Sequence, residues 1–248
     1  MPEQAHIALK RLILADLERQ PRSLQKEIGP SEVGHPCARW LAYRLSQADK
    51  ALQLPPWRQN VGVQVHRWLD ELVAGDENWI PSLWVPVGEL TPGRTIWGTM
   101  DAYYIPTFTV VDYKIPGPNQ MKEHRTGKTE NEQYKVQVQC YGAGAVALGL
   151  RVEEVMIIRL PAAGELSAMS VSRAPFDEGV ASRALARVAA VQSLVDEVGP
   201  AAASVLPATE HYCSRCDYFR PNSNDLLKGC PGVHTEVKDP TYQGLIKP

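Results

Sequence analysis

The chain has 248 residues, a formal net charge of −2, 44% hydrophobic and 22% charged residues, enough to bury one substantial core plus a small appendage. That profile excludes a disordered chain, and the near-neutral charge excludes a broadly basic polyanion binder, so any nucleic-acid site must be a local groove. No apolar run approaches the ~20 residues that span a bilayer, a cytoplasmic location is expected, and five cysteines, an odd number, then point to metal ligation rather than disulfides.

Residues 4–20 place Ile7, Leu9, Leu12, Leu14 and Leu17 at spacings compatible with a helix packed on one side. Charges interrupt the apolar positions and no cleavage site follows, so the segment reads as an amphipathic helix and not as a signal peptide. The turn-rich segment 31–36 leads into a helix over 37–47 with Cys37 near its start. Its Arg39 and Arg44 are candidate phosphate contacts, or a solvated basic face. Residues 60–74 predict another helix with an apolar stripe of Val61, Val65, Trp68, Leu69 and Leu72. His66 lies beside that stripe, and Gly62, one turn earlier, leaves room for something to approach the imidazole.

Three strands are expected next, over 82–90, 95–105 and 108–115, as an antiparallel meander whose first member, carrying Pro86, is an edge or bulged strand. Alternation in the third puts Val110, Asp112 and Lys114 on one face and Val111 and Tyr113 on the other. Asp101, on the neighbouring strand, comes close enough to Asp112 to share a cation. The segment 115–130, with Lys122, His124, Arg125 and Lys128, reads as a long phosphate-contacting lid or as a solvated loop.

A helix over 130–149 gathers Tyr134, Gln137, Val138 and Tyr141 on one broad face. Residues 155–160 form a buried-strand candidate and 166–172 another; an alanine-rich helix over 177–198 stops at Gly199-Pro200. The tail differs in kind. Cys213 and Cys216 have C-x2-C spacing, and thirteen residues separate them from Cys230. Such thiolates chelate one metal centre well, with a fourth ligand to come from elsewhere.

The ordered set Gly62-x3-His66, Gly98-x2-Asp101, Asp112-Tyr113-Lys114 and Gln137-x3-Tyr141 resembles the PD-(D/E)xK nuclease superfamily. Within it the chain looks most like the RecB-like iron–sulfur nucleases, which include the CRISPR-associated spacer-acquisition exonucleases, the AddB helicase-nuclease subunits and similar phage exonucleases. The resemblance implies an α/β fold: a restriction-endonuclease-like core, with a central mixed sheet flanked by helices, and a cysteine-ligated iron–sulfur module. It divides the chain into a helical section over 1–59, a nuclease core over 60–206 and a cluster-binding segment over 207–248.

The implied activity is metal-dependent DNA exonuclease hydrolysis of phosphodiester bonds from single-stranded DNA ends, with a homo-oligomer or a recombination partner expected. Lys114, Asp101, Asp112, Gln137 and Tyr141 would be catalytic. His66, Asp101, Asp112 and the Tyr113 carbonyl would hold Mn²⁺ or Mg²⁺, the histidine nitrogen favouring Mn²⁺. Cys37, Cys213, Cys216 and Cys230 would hold a structural [4Fe-4S] cluster, with a zinc site of four cysteines as the alternative; the wide gap before Cys230 departs from the family pattern. Cys140 reads as a buried spectator. Arg39, Arg44, Lys122, Arg125 and Lys128 would contact DNA, and Trp40, Trp57, Trp68 and Tyr43 would stack on bases or pack the core. An accessory DNA-end binder and a zinc-stabilised interaction protein are the competing functions.

Overall fold

A computed structural model describes residues 5–19, 27–51, 57–126 and 131–233. Helices α1 (Ala5–Arg19), α2 (Pro30–Val33), α3 (Ala38–Leu45) and α4 (Trp57–Val73) precede strands β1 (Trp79–Thr91), β2 (Arg94–Tyr104) and β3 (Thr109–Lys114). Helices α5 (Pro118–Arg125) and α6 (Glu132–Ala147) lead to β4 (Glu154–Arg159), followed by β5 (Ser170–Pro175), α7 (Glu178–Val198) and α8 (Ala202–Val205).

The five strands lie in sequence order, antiparallel except for the parallel pair β3 and β4. Parallel neighbours need a crossover, and α5 and α6 supply it. The result is the expected mixed sheet flanked by helices, opening on the predicted meander. β1 is an edge strand, as is β5, and has register shifts between Pro86 and Gly88 and between Glu89 and Thr91. Two expectations change in detail. The segment read as a long loop folds as α5 from Pro118, where proline at the first helical turn loses no hydrogen bond. The strand expected from residue 166 starts only at Ser170, after a short 3-10 turn over Leu166–Ala168.

Each face of the sheet has its own apolar core. The larger holds Val85, Met100, Val110, Val138, Val155 and Val188 between the sheet and α6 and α7. The smaller joins Leu69 of α4 to Ala102, Val111 and Tyr113. Only Leu69 of α4 is buried; Trp68 and Leu72 of the predicted stripe are exposed. In α1, Leu17 is buried while Ile7, Leu9 and Leu12 are exposed, so the expected packing face is engaged only near the helix end.

β3 alternates as predicted, but β2 does not. Ile96 and Met100 enter the larger core, whereas beyond Asp101 it is Tyr103 that enters it and Ala102 that turns to the smaller one. The pleat therefore reverses at Asp101. Ser82 stands opposite on β1, between the pairs Pro81↔Ala102 and Leu83↔Met100, and has a left-handed φ of 47°. The β2–β3 ladder covers only Ala102↔Val111 to Tyr104↔Thr109. Strands β2 and β3 thus part at Asp101 and Asp112.

The tail returns to α3. The Tyr43 and Tyr218 rings stack with centroids 4.9 Å apart, and the Arg39 backbone N–H donates to the Pro207 carbonyl at 3.2 Å. Among the described residues, no helix is long and apolar enough to cross a membrane.

Gly98 fills a position that no side chain fits. A Cβ there would lie 2.3 Å from Pro30 Cγ and 3.2 Å from Tyr141 Cε1, whereas one at Gly62 would meet nothing within 4 Å. Gly98→Ala is expected to cost about 1–3 kcal/mol through overpacking, read as a lower melting temperature. Gly62→Ala should leave the melting temperature unchanged or raise it, as helical Gly→Ala does by up to about 1 kcal/mol.

Candidate active site

The parting of β2 and β3 brings together side chains from four elements. Asp101 lies at the pleat reversal, and its Oδ2 accepts the Tyr113 backbone N–H at 2.6 Å, so the carboxylate takes a donor that a continued ladder would have paired with backbone. Its Oδ1 lies 3.1 Å from His66 Nδ1 on α4. Gly62 leaves open space one turn before that histidine. On β3, Lys114 Nζ stands 2.6 Å from Asp112 Oδ2.

Helix α6 completes the arrangement by its i, i+3, i+7 spacing. Lys114 Nζ donates to Gln137 Oε1 at 2.9 Å, and Gln137 Nε2 donates to the Tyr141 hydroxyl at 3.2 Å. The Lys114 ammonium also sits over the Tyr134 ring, 4.7 Å from its centroid, a favourable contact for a cation. Tyr134 shared the predicted helix face but had no role assigned to it. A lysine reaching one turn along that face was the available signal.

Asp112 is the most enclosed member. Its side chain is 1% exposed, and neither carboxylate oxygen receives a well-directed hydrogen bond despite the ion pair to Lys114. Burial drives its pKa up, Lys114 opposes this, and the Asp101 charge adds to the rise. Burial pulls the His66 imidazole down, but the hydrogen bond and charge of Asp101, with Asp112 behind, outweigh it and leave that pKa above its usual value. Asp101, Asp112, His66 and Lys114 therefore share one electrostatic site.

Among the described residues, no group of three or more His, Cys, Asp or Glu side chains forms a ready-made ion site. The donor set nevertheless suits a hard divalent cation. Asp112 presents two buried oxygens whose one charged neighbour is the Lys114 ammonium, Asp101 stands across the parted strands, and His66 offers a nitrogen.

The four predicted cluster cysteines, Cys37, Cys213, Cys216 and Cys230, line one recess with His35, Trp40 and Tyr43. Their sulfurs face donors: Thr209 N–H to Cys37 Sγ at 3.4 Å, Gly232 N–H to Cys230 Sγ at 3.4 Å, and Arg39 Nη1 to Cys230 Sγ at 3.6 Å. Burial pushes the Cys216 thiol up to about 11, with Cys230 adding to it, and raises Cys213 as well. His35 stacks on Trp40 at 4.0 Å and accepts the Cys37 N–H; burial, then His211 and Arg187, lower its pKa to about 3 and keep it neutral. Donors aimed at sulfur suit thiolate ligands. Cys140 is fully buried elsewhere, its thiol pushed up to about 12 by burial.

Of the predicted DNA contacts, Arg39 and Arg44 have partners within the fold. Arg44 forms a two-armed pair with Glu32 at 2.7 and 3.2 Å, and Arg39 donates to the Leu206 carbonyl besides Cys230. Both guanidiniums are thus engaged by groups from other segments, which local sequence does not announce. Lys122 is exposed on α5; the Arg125 side chain and Lys128 lie outside the described residues. Tyr43 is buried and Trp40 lines the cysteine recess, whereas Trp57 and Trp68 are exposed.

Solved structures that resemble the chain include three of different proteins. One, titled as the crystal structure of SSO0001, is 14% identical over 85% of this chain and 94% of that one, with a TM-score of 0.49. An alkaline exonuclease from Laribacter hongkongensis is 13% identical over 75% and 93%, at 0.48, and a phage-related exonuclease from Haemophilus somnus 129PT is 14% identical over 68% and 81%, at 0.42. No family model matches the chain, and no curated protein does. With every one of these scores below 0.5, the functional reading rests on the site's own geometry.

Asp112→Asn isolates the electrostatics. Because burial raises the folded-state pKa of Asp112 above its unfolded value, ionisation disfavours the native state at high pH, and that handicap fades as pH falls through the raised pKa. In chelator the variant should melt about 2–4 °C above wild type near neutral pH, roughly 1 kcal/mol in a chain of this size, with the gap closing in acid. A gap that stays constant with pH would show that the buried charge is not its source.

Proposed function

We propose that this protein is a divalent-metal-dependent deoxyribonuclease that hydrolyses phosphodiester bonds at DNA strand ends. The observation that carries the reading is the meeting of Asp101, Asp112, Lys114 and His66 where β2 and β3 part, with both Asp112 oxygens buried and facing no donor but the Lys114 ammonium. In this reading Asp101, Asp112, His66 and the Tyr113 carbonyl hold Mg²⁺ or Mn²⁺. A cation held there would supply positive charge against the scissile phosphate and lower the pKa of a water.

The chain's own residues do the positioning. Lys114 is held by Asp112, Gln137 and the Tyr134 ring, so its ammonium is presented in one place with few rotamers to lose. There it offsets the negative charge that accumulates on the phosphoryl oxygens as water adds to phosphorus and the P–O bond to the leaving strand breaks. Gln137, itself bonded to Tyr141, fixes the lysine from the helix side.

Cys37, Cys213, Cys216 and Cys230 are proposed to hold a [4Fe-4S] cluster that ties α3 to the tail. Four cysteines lining one recess, with N–H donors directed at their sulfurs, support this. Its role is structural, closing a loop of most of the chain, which restricts the unfolded state.

Lys114→Ala and Asp101→Asn should each lower Mn²⁺-dependent release of nucleotides from end-labelled DNA by at least about a hundredfold while leaving the melting temperature within a few degrees. Undiminished digestion by either variant would remove the mechanism; a wild-type protein that binds DNA ends without cutting them would favour the accessory end-binder. Anaerobically purified protein should contain iron and acid-labile sulfide and absorb in the visible. Cys230→Ala should lose both, with a lower melting temperature, whereas zinc without iron would replace the cluster by a four-cysteine zinc site.

A further inference from the structure

Trp84 and Trp97 form an exposed aromatic plate that neither core uses. Their rings lie parallel within 8°, with centroids 5.9 Å apart, and they are 58% and 43% exposed. Paired rings left this far in water offer a flat apolar surface to a partner. Its place follows from the strand period. Leu83 and Val85 face the larger core, as do Ile96 and Met100, so Trp84, Trp97 and Thr99 face the opposite side of the β1–β2 ribbon, the side on which α4 lies.

The active site reaches that side through His66 of α4, which meets Asp101 in the gap between β2 and β3, while Asp112 and Lys114 share the face of Val110 on the larger-core side. His66 of α4 is its most open side chain at 31%, against 14% for Asp101, 16% for Lys114 and 1% for Asp112. Trp84 pairs with Thr99, two residues from Asp101, and Trp97 is four residues from it, about 7 and 13 Å along an extended strand. Those distances match one and two steps of an unstacked single strand running away from the site. The −2 net charge gives the chain no broad electrostatic hold on phosphate. Stacking, which every base permits, supplies a hold that does not depend on sequence.

We propose that Trp84 and Trp97 are the platform on which bases of a single-stranded DNA end stack as the strand is led to the site at Asp101 and Asp112. This rests on the nuclease reading above and adds to it the residues that would hold an unpaired end, through its bases. Neither tryptophan touches the reacting atoms, so both are binding residues.

The test uses full-length Lys114→Ala protein with Mg²⁺, so that DNA is not consumed, and a fluorescent oligothymidylate whose anisotropy reports Kd. Adding Trp84→Ala or Trp97→Ala should weaken binding by about tenfold, and Trp84→Phe should recover most of it. On an otherwise identical oligonucleotide with abasic positions, the alanine penalty should vanish, because no base remains to stack; a merely structural role would keep it. Equal Kd values with and without the tryptophans, or the same penalty on the abasic strand, would overturn the proposal. So would sedimentation showing that the substitutions split a dimer while leaving Kd unchanged, which would assign the plate to contact between copies. Failure of the nuclease reading looks different: wild-type protein with Mn²⁺ then leaves end-labelled DNA intact, whatever the tryptophans do.

Discussion

A carboxylate enclosed by protein, with one ammonium beside it and no other hydrogen-bond donor on its oxygens, is the constraint from which the rest of this structure follows. Removing such a group from water costs several kcal/mol unless charge and hydrogen bonds compensate. At Asp112 the compensation is incomplete: Lys114 is close, but the oxygens lack well-directed donors. A fold that retains this arrangement must hold it by force of packing, with Val110 and Val111 of the same strand fully buried in the two cores on either side of the sheet. The strand ends carry the polar groups, and the strand centre supplies the rigidity.

Asp112 and Lys114 were legible in the sequence because β3 is buried on both faces and regular, so a period of two states which side chains stand together. The association of Gln137 with Tyr141 was legible for the same kind of reason, one helical turn. What could not be read was Asp101's orientation. Simple alternation carries it along with Thr99 and Trp97, but the chain reverses its pleat there, opposite a left-handed Ser82, and no residue type at 82 or 101 announces such a reversal. Arg39 and Arg44 looked like surface cations because local sequence says nothing of Glu32, Leu206 or Cys230 folding back onto them. Trp84 and Trp97 escaped notice in a related way. Alternation identifies a face, but whether a helix covers that face depends on where α4 stops.

The glycine in Gly98-x2-Asp101 has a packing explanation rather than a chemical one. Pro30 at the start of α2 lies against the bare Cα of Gly98, and Tyr141 of α6 closes on it from the other side. Gly34, just past α2, admits α6 equally closely, since a Cβ there would meet Val136 Cβ at 2.8 Å and Gln133 Cα at 2.9 Å. The short segment 29–34 is thereby wedged between β2 and the helix that carries Gln137 and Tyr141. Two absent side chains set the height of α6 over Lys114.

That wedge also joins the cysteine recess to the active site through continuous contact. Cys37 caps the start of α3, Arg44 at its end grips Glu32 of α2, and Glu32 in turn accepts the Gly29 N–H at 2.8 Å. From α2 the contacts pass through Pro30 and Gly98 to Tyr141, then through Gln137 to Lys114. Arg187 of α7 steadies the other end by donating to the carbonyls of His35 and Pro36 at 2.8 and 2.9 Å. Each step is a short polar bond or a close approach that tolerates little displacement. The segment from α2 to α3 thus stands in contact with both sites, even though the two share no residue.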